Sequence, residues 1–487
     1  MEPHEKTRFD ALLAWSQQHG TELHPQLDIY CDDITKFSLR VKPSAADGLQ
    51  PGFRAVSCPV STTLSYLNAL VDGPLDIVSP SPQDHTPAFP PRFLRSNPPH
   101  VVGRFFLIKE YLRGKSSYWW PYIVTLPQPE HVDAWALPAF WPDHDIARLE
   151  GTNAHVAVEE MQANVKREFK HARKLLKEDD FPGWQDYTQL LYKWAFSIFT
   201  SRSFRPSLIL SAASQYHAST LFPPSSQVQL DDFSILQPLL DIANHSPTAR
   251  YTWSTTTPPT ACTFIADDFY PPGAQVYNNY GAKTNSELLL AYGFLLPPSD
   301  TFHNDYVHVR KRNHPQSNTN SSGSLDDNDK PKDFLLSLRP LADSSSLVGR
   351  ARLALSPPTR LARLPCFVCV ESALVEDLAG AVVASREEAE AVQMWNGEGG
   401  GLDGGGGEGL PEAVVQVVDR VRAVLGGKVE GDLEKLQAAA GGLDLDGHEE
   451  GAGNRELARR YREGCERVLE AVLEGLMIDV EAQDGEE

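Results

Sequence analysis

Two stretches decide the fold of this chain: Asp241-Ile-Ala-Asn-His-Ser246 and Asn279-Tyr-Gly-Ala-Lys-Thr-Asn-Ser-Glu-Leu-Leu-Leu-Ala-Tyr-Gly-Phe294. The first follows an apolar run over residues 233–240, so its polar residues are expected at the end of a buried element. The second begins as a strand over residues 275–278 and continues as a helix, whose start, Thr284-Asn-Ser-Glu287, fits a capping box. Polar side chains held at the ends of structural elements are typical of a functional site.

Together the two stretches resemble the SET-domain signature, in the form found in the Rubisco large-subunit methyltransferase-like group. That group includes fungal methyltransferases of ribosomal proteins and elongation factors. The longer pattern, from Asn279 to Phe294, is far more specific than Asn-His alone. A third stretch, Ser117-Tyr-Trp-Trp-Pro-Tyr-Ile-Val-Thr-Leu-Pro127, is similar to a segment of the helical insertion that splits the SET fold in this group. The resemblance is specific over about residues 200–300 and follows the family's order elsewhere.

The resemblance implies an α+β fold, in which small β-sheets surround a knot-like site. The SET domain is expected over residues 1–300, with a helical insertion at about 85–200. Residues 301–333 are rich in Asn, Ser and Asp and predict a disordered connection. Residues 334–487 are expected to form an acidic, all-α substrate-binding domain, with a flexible Gly-rich loop at 397–409.

Two helices are predicted within that C-terminal domain. The first covers residues 411–425, with Pro411 at its start and Gly426-Gly427 after its end. The second begins near Asn454, a suitable N-cap. Its apolar residues recur on one face at helical spacing: Leu457, Tyr461, Val468, Leu469, Val472 and Leu476.

The resemblance also implies the site residues, with S-adenosylmethionine as the cofactor and no metal. Tyr280 is the catalytic residue, whose hydroxyl orients the methyl group and the amine. The cofactor-binding residues are Asn244, His245, Asp241, Arg202, Ser201, Arg40, Tyr292, Gly293 and Phe294. Phe204 and Tyr277 line the substrate channel. Plainer interpretations are a core tyrosine ending a strand for Tyr280 and a turn with a hydrogen-bonded histidine for Asn244 and His245. A helix end packed in the core explains Tyr292, Gly293 and Phe294 equally well.

One departure from the family concerns a Gly-x-Gly segment that lies against the cofactor. Here Lys36 and Ser38 replace the two glycines, which elsewhere let the backbone approach a ligand closely. A catalytically inactive SET-derived binding or scaffold protein is therefore an alternative to an enzyme.

Charge and composition limit the partners. The net charge is −21, and residues 371–487 carry 28 acidic and 10 basic residues. An acidic surface disfavours nucleic acid and attracts a basic protein, although acidic helices also simply favour solubility. No apolar run is long enough to cross a membrane, and the N-terminus has no signal-peptide pattern. Six cysteines favour a reducing compartment, the cytosol or the nucleus.

The expected function is therefore S-adenosylmethionine-dependent methylation of a lysine in a non-histone protein. By resemblance, the substrate is a ribosomal protein or a translation elongation factor. An apolar wall such as Phe204 suits the aliphatic stem of lysine, whereas an imidazole would need a hydrogen-bonding partner. Methylation of a histidine is the remaining alternative. The Cys-rich flanks of histone-directed SET enzymes are absent.

Overall fold

The computed structural model describes residues 3–75, 86–132, 135–223, 227–255, 260–311, 332–397, 410–440 and 452–478. The chain divides into two compact units. The first contains Met1–Trp135 and Glu160–Gly281, and the second contains Ala136–Glu159 and Ala282–Glu487. The Gly-rich stretch 398–409 and the connection 312–331 lie outside the described residues.

Helices make up most of the secondary structure in the described parts of the chain. They are α1 (Pro3–Gln18), α2 (Tyr66–Val71), α3 (Pro91–Ser96), α4 (Pro99–Arg113), α5 (Trp120–Ile123), α6 (Asp143–Ile146), α7 (Asn153–Glu178), α8 (Gln189–Arg202), α9 (Pro206–Ile209), α10 (Ala212–Thr220), α11 (Asn285–Tyr292), α12 (Leu347–Leu355), α13 (Ser372–Val382), α14 (Arg386–Gly397), α15 (Glu412–Ala440) and α16 (Ala452–Leu476). Within the described ranges, no helix is both long and apolar enough to cross a membrane.

The strands are short and pair in four small sheets. They are β1 (Glu22–Leu23), β2 (Leu27–Asp32), β3 (Lys36–Val41), β4 (Phe53–Pro59), β5 (Leu64–Ser65), β6 (Ser203–Phe204), β7 (Ile235–Leu236), β8 (Tyr251–Ser254), β9 (Ala261–Ala266), β10 (Gln275–Val276), β11 (Tyr306–Lys311) and β12 (Lys332–Ser337). The first unit holds three antiparallel sheets, in the orders β1-β4-β9-β8, β10-β3-β2 and β5-β7-β6, and the second unit holds β11-β12. This is the expected α+β architecture of small sheets.

Large aromatic side chains fill the core of the first unit. Trp119, Trp194 and Tyr122 are among its fully buried residues. Trp194 lies on α8, where the sequence repeats apolar residues at helical spacing, and Leu191 and Ile198 of the same helix are buried as well. The insertion helices therefore contribute to the core of this unit.

The second unit includes the chain from Ala282 onward. Leu289 of α11 packs in one core with Val307, Phe334 and Leu149, which is why the chain after Gly281 belongs to this unit. Strands β11 and β12 pair from Tyr306↔Ser337 to Lys311↔Lys332. Residues 306–311 and 332–333 of the expected disordered connection 301–333 are thus β-strand. The unit expected to be all-α contains this two-stranded sheet among its described residues.

The end predicted for the helix at Gly426-Gly427 is wrong. Helix α15 continues through both glycines to Ala440. Its apolar stripe extends past them, because Val421, Leu425, Val429 and Leu436 are all buried in the same core. Two glycines cost about 2 kcal/mol in a helix interior, and burial of these side chains outweighs that cost.

The helix start predicted at Thr284 is confirmed, whereas α16 begins at Ala452, so the prediction of Asn454 as its N-cap is wrong. Thr284 forms a capping box with Glu287 at the start of α11: its hydroxyl accepts the Glu287 N–H, and the Glu287 carboxylate accepts the Thr284 N–H. Asn454 lies in the first turn of α16, and its amide donates to the buried Asp145 carboxylate at 3.1 Å. Tyr461, Val468, Leu469, Val472 and Leu476 are buried along one face of α16.

Candidate active site

The Asn-His turn and the residues that lead into Tyr280 lie side by side in the first unit. The Asn278 N–H donates to Asn244 O, and the Ser246 N–H donates to Asn278 O, both at 2.8 Å. His245 and Asn278 thus form a parallel β-bridge. This pairing joins residues far apart in the sequence and brings the Asn-His turn next to the segment that carries Tyr280.

Asn244 connects the turn to the start of β3. Its side-chain amide donates to Thr35 O at 3.1 Å and to Phe37 O at 3.3 Å. The Asn244 amide nitrogen also lies 3.4 Å from Oε1, the side-chain oxygen of Gln275 on β10. The side chain of Asn244 therefore fixes the turn against two strands of the β10-β3-β2 sheet, including the segment around Lys36.

His245 and Tyr280 are held together by their rings and backbone. The Tyr280 N–H donates to His245 Nδ1 at 3.0 Å, so Nδ1 is the unprotonated nitrogen of this imidazole. The rings stack with centroids 5.0 Å apart. The Tyr280 hydroxyl donates to Ala243 O at 3.1 Å, two residues before His245. Because this hydroxyl proton is directed at Ala243, the phenolic oxygen is oriented to accept a hydrogen bond from another group.

Asp241 is a buried carboxylate at the beginning of the same turn. Its Oδ2 accepts the Tyr122 hydroxyl at 2.8 Å, and Arg202 Nη1 lies 3.4 Å away. Burial raises the pKa of Asp241, although Arg202 and Tyr122 both favour its charged form. The structure therefore brings Asp241 and Arg202 together, and their predicted contact with the cofactor stays a prediction. Ser201 lies nearby in sequence, but its hydroxyl donates to Ser197 O within α8 at 2.9 Å.

Arg40 is engaged away from the Asn-His turn. Its guanidinium pairs with Asp28 at 3.0 Å and lies 4.9 Å from the Tyr30 ring centroid. With Lys6 and Lys42 among other residues, it lines a cavity of about 540 Å³ between α1 and strands β2 and β3. A role for Arg40 in holding the cofactor stays a prediction.

The two predicted channel residues have different neighbours. The Phe204 ring packs edge-on against Trp253, with centroids 5.6 Å apart. Tyr277 follows β10, and its N–H lies 3.5 Å from the Tyr270 hydroxyl. Burial and the nearby Asp32 raise the pKa of Tyr277. Trp253, on β8, was not among the predicted site residues.

Tyr292, Gly293 and Phe294 belong to the second unit, at the end of α11. Gly293 is the C-cap, with φ 75°, and its N–H donates to Leu288 O and Leu289 O at 3.0 Å. The ring centroids of Tyr292 and Phe294 lie 6.2 Å apart. The helix end accounts for the glycine, and the predicted place of these residues beside the adenine stays a prediction.

Lys36 adopts the backbone conformation that the missing glycine would favour. Its φ is 59°, in the left-handed region. Ser38 is fully buried, and within the described chain its hydroxyl has no hydrogen-bond partner. Lys36 thus has a backbone conformation that favours glycine, while both positions carry a side chain.

We expect Lys36→Gly to raise the free energy of unfolding by up to about 1 kcal/mol, because it relieves the left-handed backbone strain of the folded state. Glycine also raises the conformational entropy of the unfolded chain, which offsets only part of this gain. Urea unfolding followed by tryptophan fluorescence measures the change. The matched control is Lys42→Gly, since Lys42 lacks a positive φ and should lose stability on substitution. A K36G protein less stable than wild type would show that the backbone at Lys36 is not strained.

Titratable groups suited to a metal are not clustered. Within the residues that the structure describes, no group of three or more His, Cys, Asp or Glu is placed to hold a metal ion.

Small antiparallel sheets, an Asn-His turn paired with the end of β10 and a tyrosine held beside that turn are the features expected of the SET fold. The fold is similar to that of Rubisco LSMT bound to AdoMet, with a TM-score of 0.57 and 15% identity, covering 98% of this chain and 92% of that one. It is equally similar to the SET domain of LSMT bound to methyllysine and AdoHcy, with a TM-score of 0.57 and 16% identity over the same shares.

Sequence relatives point to the same group. The chain is 29% identical to the ribosomal lysine N-methyltransferase set10 of Schizosaccharomyces pombe over 298 residues, 60% of this chain and 47% of that protein. It is 24% identical to the N-lysine methyltransferase SETD6 of Bos taurus over 294 residues, 60% of this chain and 57% of that protein. The actin-histidine N-methyltransferase of Mus musculus is 24% identical over 187 residues, 37% of this chain and 27% of that protein.

The chain spans about half the length of the first two relatives. No protein-family model matches it. In sequence and in fold it resembles the Rubisco large-subunit methyltransferase-like group of SET-domain proteins, and the resemblance inferred from Asp241–Ser246 and Asn279–Phe294 is confirmed.

Proposed function

We propose that this chain is an S-adenosylmethionine-dependent protein-lysine N-methyltransferase whose substrate is a ribosomal protein. The observation that carries the proposal is the position of the Tyr280 hydroxyl, which donates a hydrogen bond to Ala243 O at 3.1 Å beside the Asn244–His245 turn. The name of the S. pombe relative, a ribosomal lysine N-methyltransferase, supports the choice of substrate. An elongation factor is the second candidate within the translation machinery.

The residues present fit the cofactor. The Asn244–His245 turn is fixed by hydrogen bonds to Thr35 and Phe37 at the start of β3 and to Tyr280, and the backbone at Lys36 has a left-handed conformation that a glycine would adopt readily. Asn244, His245 and the Asp241–Arg202 pair would hold the cofactor. When bound, S-adenosylmethionine supplies a methyl group activated by a sulfonium, so the protein needs neither a metal nor a covalent nucleophile.

The protein's part is to align a neutral amine and to exclude water. A free lysine amine has a pKa of about 10.4 and is charged at neutral pH, so an apolar channel is needed to favour the neutral form. Phe204, packed against Trp253, offers such a wall. The phenolic oxygen of Tyr280 can then accept an amine N–H and orient the nitrogen lone pair.

The charge of the chain supports a basic protein partner. Residues 371–487 carry a net charge of −18, while the first 370 residues carry only −3. Ribosomal proteins are basic, so opposite charge would favour their encounter with the second unit. All six cysteines are free thiols, in keeping with work in the reducing cytosol or nucleus.

Transfer of labelled methyl groups tests the proposal. The purified chain is incubated with labelled S-adenosylmethionine in three separate reactions, which contain ribosomal subunits, core histones or actin. We expect label in a ribosomal protein, recovered as N-methyllysine after hydrolysis. Label recovered as methylhistidine from actin would replace the lysine assignment. Cofactor binding without transfer to any of the three, or to a total lysate, would favour the inactive scaffold.

Asn244→Ala is expected to weaken S-adenosylmethionine binding at least tenfold, because the turn loses its bonds to Thr35 O and Phe37 O. The two carbonyl groups lose their partner, which should also cost about 1–3 kcal/mol of stability. Titration calorimetry with the cofactor measures the affinity. Asn164→Ala, on the exposed face of α7, is the control and should bind as wild type does. Unchanged binding by N244A would remove Asn244 from the site.

A further inference from the structure

The segment Ser117–Tyr122, in the helical insertion, is anchored at three points. Ser117 Oγ donates to the fully buried Glu110 carboxylate at 2.6 Å. Trp119 Nε1 donates to Thr62 O and Thr63 O, both at 3.1 Å. The Tyr122 side chain is 1% exposed, and its ring is enclosed in the core of the first unit. The position of its hydroxyl is therefore set by packing on every side.

That hydroxyl makes the shortest side-chain hydrogen bond of Asp241. Tyr122 Oη donates to Asp241 Oδ2 at 2.8 Å, whereas Arg202 lies 3.4 Å from the same oxygen. The Asp241 side chain is 1% exposed. Its other oxygen, Oδ1, has no hydrogen-bond partner in the described part of the chain. A buried carboxylate with so few partners depends strongly on each of them.

The turn that Asp241 begins needs to be held in place. Leu239, two residues earlier, has φ 71° although it carries a branched side chain. Such a conformation costs about 1–3 kcal/mol and persists only where surrounding contacts impose it. Ala243, two residues after Asp241, provides the carbonyl oxygen that accepts the Tyr280 hydroxyl. A shift of Asp241 would therefore move the acceptor that aligns Tyr280.

We propose that Tyr122 is a positioning residue for the reaction, which aligns the Tyr280 hydroxyl through Asp241 and Ala243. The inference rests on the proposed function and adds to it a contribution of the helical insertion. Tyr122 lies 119 residues before Asp241 and touches neither reacting group. It acts on the geometry of the turn, and a displacement of about 1 Å at a reacting group can lower a rate by about 100-fold.

Tyr122→Phe tests the inference, because it removes one oxygen atom and keeps the buried ring. We expect kcat to fall about tenfold or more, while the KM for S-adenosylmethionine stays within about twofold. The Tyr280 N–H, which donates to His245 Nδ1, should exchange with solvent faster. The matched control is Tyr118→Phe, the same change four residues away, where the ring packs on Trp15 and Trp119. It should leave kcat and the exchange at Tyr280 unchanged.

A second variant separates positioning from general loss of stability. Asp241→Ala removes the acceptor of the Tyr122 hydroxyl, so Tyr122→Phe should have little further effect on kcat in that background. The inference would be overturned if the double variant lost kcat by the product of the two single-variant fold-changes. A Y122F protein with wild-type kcat and a wild-type exchange rate of the Tyr280 N–H would overturn it as well. If the wild type itself transfers no methyl group, the proposed function fails. The exchange measurement then still decides whether Tyr122 holds Tyr280.

Discussion

Tyr280→Phe is expected to lower the rate of methyl transfer by about 100-fold or more, with little change in S-adenosylmethionine affinity. The substitution removes the hydroxyl that donates to Ala243 O at 3.1 Å. It keeps the ring, which stacks on His245, and the backbone N–H, which donates to His245 Nδ1. Positioning is thus lost while the Asn-His turn stays in place.

Transfer of labelled methyl groups to the ribosomal substrate and calorimetric titration with the cofactor measure the two quantities separately. Tyr118→Phe again serves as the control for loss of a phenolic hydroxyl elsewhere in the first unit. A Y280F protein with the wild-type rate would show that the hydroxyl has no part in the reaction. A Y280F protein that no longer binds the cofactor would assign the hydroxyl to binding instead.

Gly293→Ala is expected to lower the free energy of unfolding of the second unit by about 3 kcal/mol or more. Two causes add. Gly293 has φ 75°, which strains any residue with a Cβ. An added Cβ would also lie 2.3 Å from Ala136 O and 2.4 Å from Ala136 Cβ. A backbone carbonyl cannot move aside as a flexible side chain can, so the helix end or its neighbour must shift.

Urea unfolding measures this change, and Gly380→Ala is its control. Gly380 lies on an exposed face of α13, in the same unit, and an added Cβ would meet nothing within 4 Å. The control should therefore gain up to about 1 kcal/mol from better helix propensity. Equal effects of the two substitutions would show that the C-cap of α11 tolerates a side chain.

The sequence predicted what depends on neighbouring residues. The capping box at Thr284 and the apolar face of α16 follow from side chains three or four positions apart, and both are present in the structure. The aromatic stripe of α8 is buried for the same reason. The helix end predicted at Gly426-Gly427 is wrong, because burial of Val429 and Leu436 in the core outweighs the low helix propensity of the two glycines.

The sequence by itself determined the SET signature, because contiguous motifs carry it. The resemblance to the family then implied the small-sheet architecture, which is confirmed, and the choice of Tyr280, Asn244 and His245, which stays a prediction. Only the tertiary structure decided which groups fix them. Asn244 bonds to carbonyls 209 and 207 residues away, and Tyr122 bonds to Asp241 across 119 residues. Likewise, Arg40 pairs with Asp28 on the neighbouring strand. Such contacts leave no local pattern, since a side chain acquires its distant partner only when packing brings the two elements together.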